Sequence, residues 1–349
     1  MTITIKEIEN IPFNGLISSQ LKLEITGINA ITANTLRRII QDDLPIYAFP
    51  PELIKIEQNT STFNNDQMKD HLSQLPILNE DCGISYLDPM YWKEVDYKNL
   101  DREKNEHEKI IDLYVNVHNV SPEVMNVTID NAKIFIDGEQ IDMWKDYKEK
   151  PLLIQLKPDA TFKCHMRSAL GTAERNAIWS AGLAFPYEDE KEKKIIFTLE
   201  SFGQMDEYTL LIKSCEYINY KLNELKKHLE KNVTEGKIPN KKIIFIELED
   251  EDFTLGNIVN DLLQDHPNII FSGVAKPDHL IKAIRIKVEC DDKFPSPIKP
   301  IYEVIDELID RFNTIKTQLK ALYNKSEKDN KKDSKKEIVK VVNKKSNKK

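Results

Sequence analysis

Arg37 and Arg38 are adjacent in a chain that uses arginine seven times against 43 lysines. A guanidinium is planar and binds carboxylates through two parallel hydrogen bonds, which a lysine ammonium makes poorly. Exposed basic pairs are usually solvated surface, but two adjacent arginines in so lysine-rich a chain suggest bidentate contacts with another protein. A second candidate is the acidic run Glu247-Leu248-Glu249-Asp250-Glu251-Asp252. It could ligate a divalent ion, but it stands just before an apolar-periodic segment, where acids favour the positive end of a helix. Asp252 is the expected cap. Cys164 and His165 are neighbours without the further ligands a metal needs. The four cysteines, at 82, 164, 215 and 290, form no Cys-x-x-Cys pair, so neither a metal site nor a cofactor is expected. The chain also contains no Gly-x-x-x-x-Gly-Lys-Ser/Thr, no Gly-x-Ser-x-Gly, no His-Glu-x-x-His and no paired-aspartate run of the magnesium-holding kind. No catalytic constellation emerges, which weakens any reading as an enzyme.

Charge narrows the remaining classes. The formal charge is −8 over 349 residues, yet the tail from Asn324 carries eleven lysines against four acids. With +7 in that tail, the body holds −15. An acidic body is a poor grip for phosphate, so a stand-alone nucleic-acid-binding protein acting through its lysine-rich tail is the weaker alternative. Hydrophobic residues make up 40% and charged residues 31%, the balance of a globular chain. No apolar run approaches the ~18 residues of a membrane span, and no membrane partner is expected.

The elements that must position the arginines repeat. Thr35-Leu36-Arg37-Arg38-Ile39-Ile40-Gln41-Asp42 and Thr254-Leu255-Gly256-Asn257-Ile258-Val259-Asn260-Asp261 share one pattern, Thr-Leu-x-x-Ile-[Ile/Val]-x-Asp. Leu255, Ile258, Val259, Leu262 and Leu263 form one helical face, and Leu36, Ile39, Ile40 and Leu44 nearly do. At 100° per residue, Arg37 and Arg38 project away from that face and are free to reach a partner. Strand patterns precede both copies, at Leu21–Ile25 and Lys242–Leu248, and Pro45 and Pro267 stop the helices.

Each half closes with a long helix. Leu211, Cys215, Ile218, Leu222, Leu225 and Leu229 alternate steps of four and three, and so do Ile301, Ile305, Leu308, Phe312, Ile315, Leu319 and Leu322. Such spacing keeps one seam facing a partner over several turns. Two matched seams in one chain predict two related α+β folds packed as an intramolecular pseudo-dimer. The expected organisation is a first dimerisation domain in 1–45 and 191–231, interrupted by a mainly β domain at 46–190. A linker at 232–240 leads to a second dimerisation domain at 241–323, and a disordered basic tail fills 324–349.

Ala33-Asn34-Thr35-Leu36-Arg37-Arg38-Ile39-Ile40, ending in Asp43-Leu44-Pro45, resembles the helix signature of α-type RNA polymerase subunits. The likeness is to the third-largest subunit of eukaryotic RNA polymerase II and its archaeal counterpart. His71-Leu72, Gln74-Leu75-Pro76-Ile77 and Gly171–Phe185 resemble further segments of that subunit. The run from Glu249 to Asn257, then Asp265-His266-Pro267-Asn268 and Phe271-Ser272-Gly273, resembles the eleventh subunit of the same enzyme. Those subunits are separate chains that pair; here they look fused, as in large DNA viruses that transcribe in the cytoplasm.

The resemblance implies an assembly subunit holding the largest and second-largest catalytic subunits, beside a small zinc-binding platform subunit, with DNA reached only through the complex. It implies cytoplasmic viral factories and the virion as location if the source is viral, and the nucleus otherwise. The family's corresponding arginines face the second-largest subunit, so Asn34, Arg37 and Arg38 form the candidate contact patch. Gly256 and Asn257 replace the arginines in the second copy, which suits halves facing different large subunits. Many third-largest subunits carry a four-cysteine zinc loop, but Asp81–Ile111 holds only Cys82, so no zinc is expected.

Overall fold

The computed structural model describes residues 2–11, 19–88, 108–145, 147, 149–189, 191–238, 241–291 and 293–346. Pro239 and Asn240 of the expected linker lie outside these residues, as do 89–107 of the stretch replacing the zinc loop and 347–349 of the tail. The chain opens with β1 (Thr4–Ile11), β2 (Ser19–Thr26), α1 (Ala30–Arg38), β3 (Ile46–Ala48), β4 (Ile54–Asn59) and α2 (Asn65–Ser73). A β-rich stretch follows: β5 (Ile111–His118), β6 (Met125–Thr128), β7 (Ala132–Ile136), β8 (Glu139–Ile141), β9 (Leu152–Leu156), β10 (Thr161–Arg167) and β11 (Ala169–Gly171). Then come β12 (Gly182–Asp189), β13 (Lys194–Ser201), α3 (Glu207–Thr234), β14 (Ile243–Glu249), α4 (Phe253–Asp265), β15 (Ile269–Ala275), β16 (Ala283–Cys290) and α5 (Ile298–Ser346).

Two antiparallel sheets flank one core. The first has the order β1-β2-β13-β12 and the second β14-β16-β15. Period-2 alternation gives each a buried face: Leu21, Leu23 and Ile25 beside Ile195, Phe197 and Leu199 in the first, and Ile244, Ile246 and Leu248 beside Ile284, Ile286 and Val288 in the second. These residues and the apolar faces of α1, α3, α4 and α5 belong to a single cluster. A second cluster, including Tyr47, Trp144, Phe162 and Met166, lies within residues 47–170. There the sheet order is β4-β10-β5-β7-β8, with β6-β9 beside it.

The expected boundaries shift in three places. β12 falls inside 46–190, yet it pairs with β13 from Gly182↔Ser201 to Asp189↔Lys194 and completes the first sheet. Backbone pairing, which composition does not show, moves that edge back to about residue 181. α3 runs through Thr234, past the expected linker start at 232, because Lys231 and Val233 still accept capping hydrogen bonds from Glu235. α5 continues to Ser346 instead of giving way to a disordered tail at 324. Lysine and glutamate are good helix formers, and a helix already nucleated by packing propagates cheaply.

The first strand is clasped from the far end of the chain. Gln318 of α5 accepts from the Ile5 amide at 2.9 Å and donates to the Ile3 carbonyl at 2.7 Å. Tyr208 of α3 donates its hydroxyl to Glu7.

Candidate subunit interface

The two repeated helices lie against each other. Asn29 caps α1, accepting from the Thr32 amide at 3.0 Å, and Asp252 caps α4, accepting from Thr254 at 2.7 Å. Asn29 donates to Asp261 at 2.5 Å, and at the other end Arg38 Nη2 donates to Asp252 Oδ2 at 2.7 Å. The start of each helix thus meets the end of the other, an antiparallel pair. Arg38 lies at the negative end of α1 and Asp252 at the positive end of α4, so both charges suit their own helix dipoles before they meet.

This corrects the expectation that both arginines are free. Arg38 spans the two halves, with Asp42 a further 3.8 Å away from its Nε. Arg37 instead donates to Asn34 at 2.8 Å and to Gln41 at 2.5 Å, within its own helix. Asn34, Arg38 and Asn257 do come together, around a depression of about 270 Å³ that Ile31 and Phe253 also line. Gly256 does not share that surface. It is buried, and a Cβ there would come within 2.8 Å of Ile284 Cδ1 and 2.9 Å of Val274 Cγ1. The missing side chain lets α4 approach its sheet. A glycine inside an apolar-periodic helix is the sequence signal for such close approach.

Alongside, α3 and α5 pack antiparallel in a constant register. Lys226 meets Asp306 at 2.7 Å, Asn219 donates to Asn313 at 3.0 Å, and Lys316 lies 3.9 Å from Glu216. Leu211, Cys215, Ile218, Leu222, Leu225 and Leu229 are all buried, as are Ile301, Ile305, Leu308, Phe312, Ile315 and Leu319; Leu322 is half-buried against them.

Burial pushes the Asp252 carboxyl up, but hydrogen bonds from Thr254 and the Arg38 charge outweigh it and hold the group below its ordinary value. A depressed carboxylate stabilises the fold above its unfolded pKa and loses that contribution as pH falls through the folded one. Asp252→Ala is therefore expected to cost about 1–2 kcal/mol at neutral pH. In denaturant titrations the gap from the parent should narrow on acidification. A gap that stays constant into the acid range would show that the carboxylate does not bridge the helices.

The chemistry-bearing residues elsewhere stay local. His165 Nε2 and Arg167 Nε meet Asp112 at 2.9 and 2.8 Å, while Cys164 is buried in β10. Cys82 Sγ lies 3.3 Å from the Pro45 carbonyl.

Residues 244–318, spanning β14 to the middle of α5, match the RNA polymerase Rpb3/Rpb11 dimerisation domain. Over 315 residues, 83% of this chain and 87% of the other, the sequence is 29% identical to a chain of Acanthamoeba polyphaga mimivirus named as a DNA directed RNA polymerase subunit. The resemblance to a fused, viral-type α-like polymerase subunit is thereby supported along most of the chain, and the mixed α and β architecture includes the dimerisation domain.

Proposed function

We propose that this chain is a non-catalytic assembly subunit of a multisubunit DNA-directed RNA polymerase. Its halves act as an intramolecular pseudo-dimer, and a mainly β unit is inserted within the first half. The observation that carries this reading is the antiparallel pairing of the two repeated helices through Arg38 and Asp252, beside the α3–α5 seam. Two copies of one unit related in this way bury the surface each would otherwise offer to a separate partner chain. The outer surface of α1 and α4, with Asn34, Arg37, Arg38 and Asn257, then remains for the large subunits. The partners in this reading are the largest and second-largest subunits and the small zinc-binding platform subunit, in a cytoplasmic viral setting; similarity to a mimivirus polymerase subunit supports partnership with other polymerase subunits.

The test is co-purification. Arg37→Ala removes a donor whose partners, Asn34 and Gln41, lie within α1 and the π-helical turn that continues it, and alanine is a good helix former. Its melting temperature should stay near native while recovery of the large subunits falls by ~10-fold or more. Normal assembly of Arg37→Ala, or a wild-type chain that binds duplex DNA alone and never co-purifies with large subunits, would defeat the proposal.

A further inference from the structure

The Arg38–Asp252 pair also borders a cleft of about 410 Å³ between the halves. Three cations line it, and each already has a mate. Arg38 holds Asp252 at 2.7 Å, Lys221 holds Glu251 at 2.6 Å, and Lys282 holds Glu174 at 2.5 Å. Asp43 has none. It ends the five-residue π-helix Ile39–Asp43 that continues α1, and its carboxylate makes no hydrogen bond or ion pair with any described residue. Tyr217 also lines the cleft; its hydroxyl has no hydrogen-bond partner among the described residues, and its ring lies 5.6 Å from that of Tyr86.

We propose that this cleft receives an arginine side chain from another polypeptide of the polymerase, with Asp43 as its counter-charge. The inference rests on the assembly role above and names a contact within it. A carboxylate drawn out of water without a mate is costly, so the group the site lacks is a cation. No group of three or more His, Cys, Asp or Glu among the described residues is placed to hold a metal ion. The cavity is also far larger than an ion. The Lys221 ammonium already stands 5.1 Å from the Tyr86 ring and 5.8 Å from the Tyr217 ring, so the incoming cation is chosen by the carboxylate: a planar guanidinium can pair with Asp43 through two parallel hydrogen bonds, which an ammonium cannot.

Burial, then the neighbouring charges of Asp252, Glu174 and Asp42, push Asp43 up to about 7 against the weaker pull of Lys221. A carboxyl raised in the folded state favours the fold while protonated and costs stability as pH rises through that value. Asp43→Asn keeps the shape and removes the cost. The free variant should melt above wild type at about pH 8 and match it at about pH 4.

Assembly should move the other way. In co-expression of the full chain with both large subunits, Asp43→Asn should weaken capture ~10-fold or more, and Asp43→Arg should abolish it. A variant that is more stable yet assembles worse cannot be explained by misfolding. In the free protein, methylguanidinium should lower the titration midpoint of the Asp43 carboxyl carbon in NMR, and Asp43→Asn should remove the effect. Equal capture of wild type and Asp43→Asn, or a midpoint that methylguanidinium leaves unmoved, would overturn this contact alone. A wild-type chain that captures neither large subunit would overturn the assembly role and this contact with it.

Discussion

Leu222→Asp is expected to leave the chain insoluble, or soluble only as an expanded species without a cooperative melt. Leu222 is fully buried midway along α3, in the core shared by both sheets and by α5. The substitution removes a side chain whose burial is worth about 1.5–3 kcal/mol and puts an uncompensated carboxylate in its place. Net stabilities of whole domains are only ~5–15 kcal/mol, so the combined loss takes most of what holds the halves together. Leu222→Met, nearly equal in volume, should cost less than ~1.5 kcal/mol and remain soluble. Size-exclusion chromatography and thermal melts separate the outcomes. A monomeric Leu222→Asp protein with native melting behaviour would disprove the packing of α3 in this core.

Gly171→Ala should be nearly as damaging, although it adds one methyl group. Gly171 ends β11, opposite Ile46 of β3, and a Cβ there would lie 2.1 Å from Cε2 of Trp179. Trp179 is 3% exposed, and its indole N–H donates to the Ala169 carbonyl at 3.0 Å. The ring has to leave, which opens a cavity and strands a carbonyl, so a loss of roughly 3–5 kcal/mol is expected. The two positions share one space, and their effects should not add. Trp179→Ala with Gly171→Ala should be no less stable than Trp179→Ala alone in urea titrations. Full additivity would mean that the glycine is needed for some other reason.

The repeated motif and the seams were legible because they are periodic within one element. Leu255, Ile258, Val259, Leu262 and Leu263 share one face of the helical period, and all are buried. The helical wheel puts Arg38 off the apolar face. It could not show that α4 would lie there, because Asp252 is 214 residues away. The same limit hid β12, whose membership is decided by pairing with β13. β1 carries no clear sequence signal for another reason: none of its residues is buried, so it shows little alternation. Nothing in the sequence around Asp43-Leu44-Pro45 marks Asp43 as unusual. Only the convergence of Asp252, Glu174 and Lys221 from three distant segments gives it an unusual environment.

The Gln318 clasp sets an order of events during synthesis. The backbone groups of Ile3 and Ile5 leave the ribosome long before their side-chain partner, which is made 313 residues after Ile5. At ~5–20 residues per second the first strand waits about 15–60 s for it. The sheet edge that α5 finally closes is therefore open throughout translation. Contacts this remote in sequence also form slowly, because the intervening chain must first be ordered. Joining the two halves in one polypeptide guarantees their equal supply, but it makes the first half wait for the last helix.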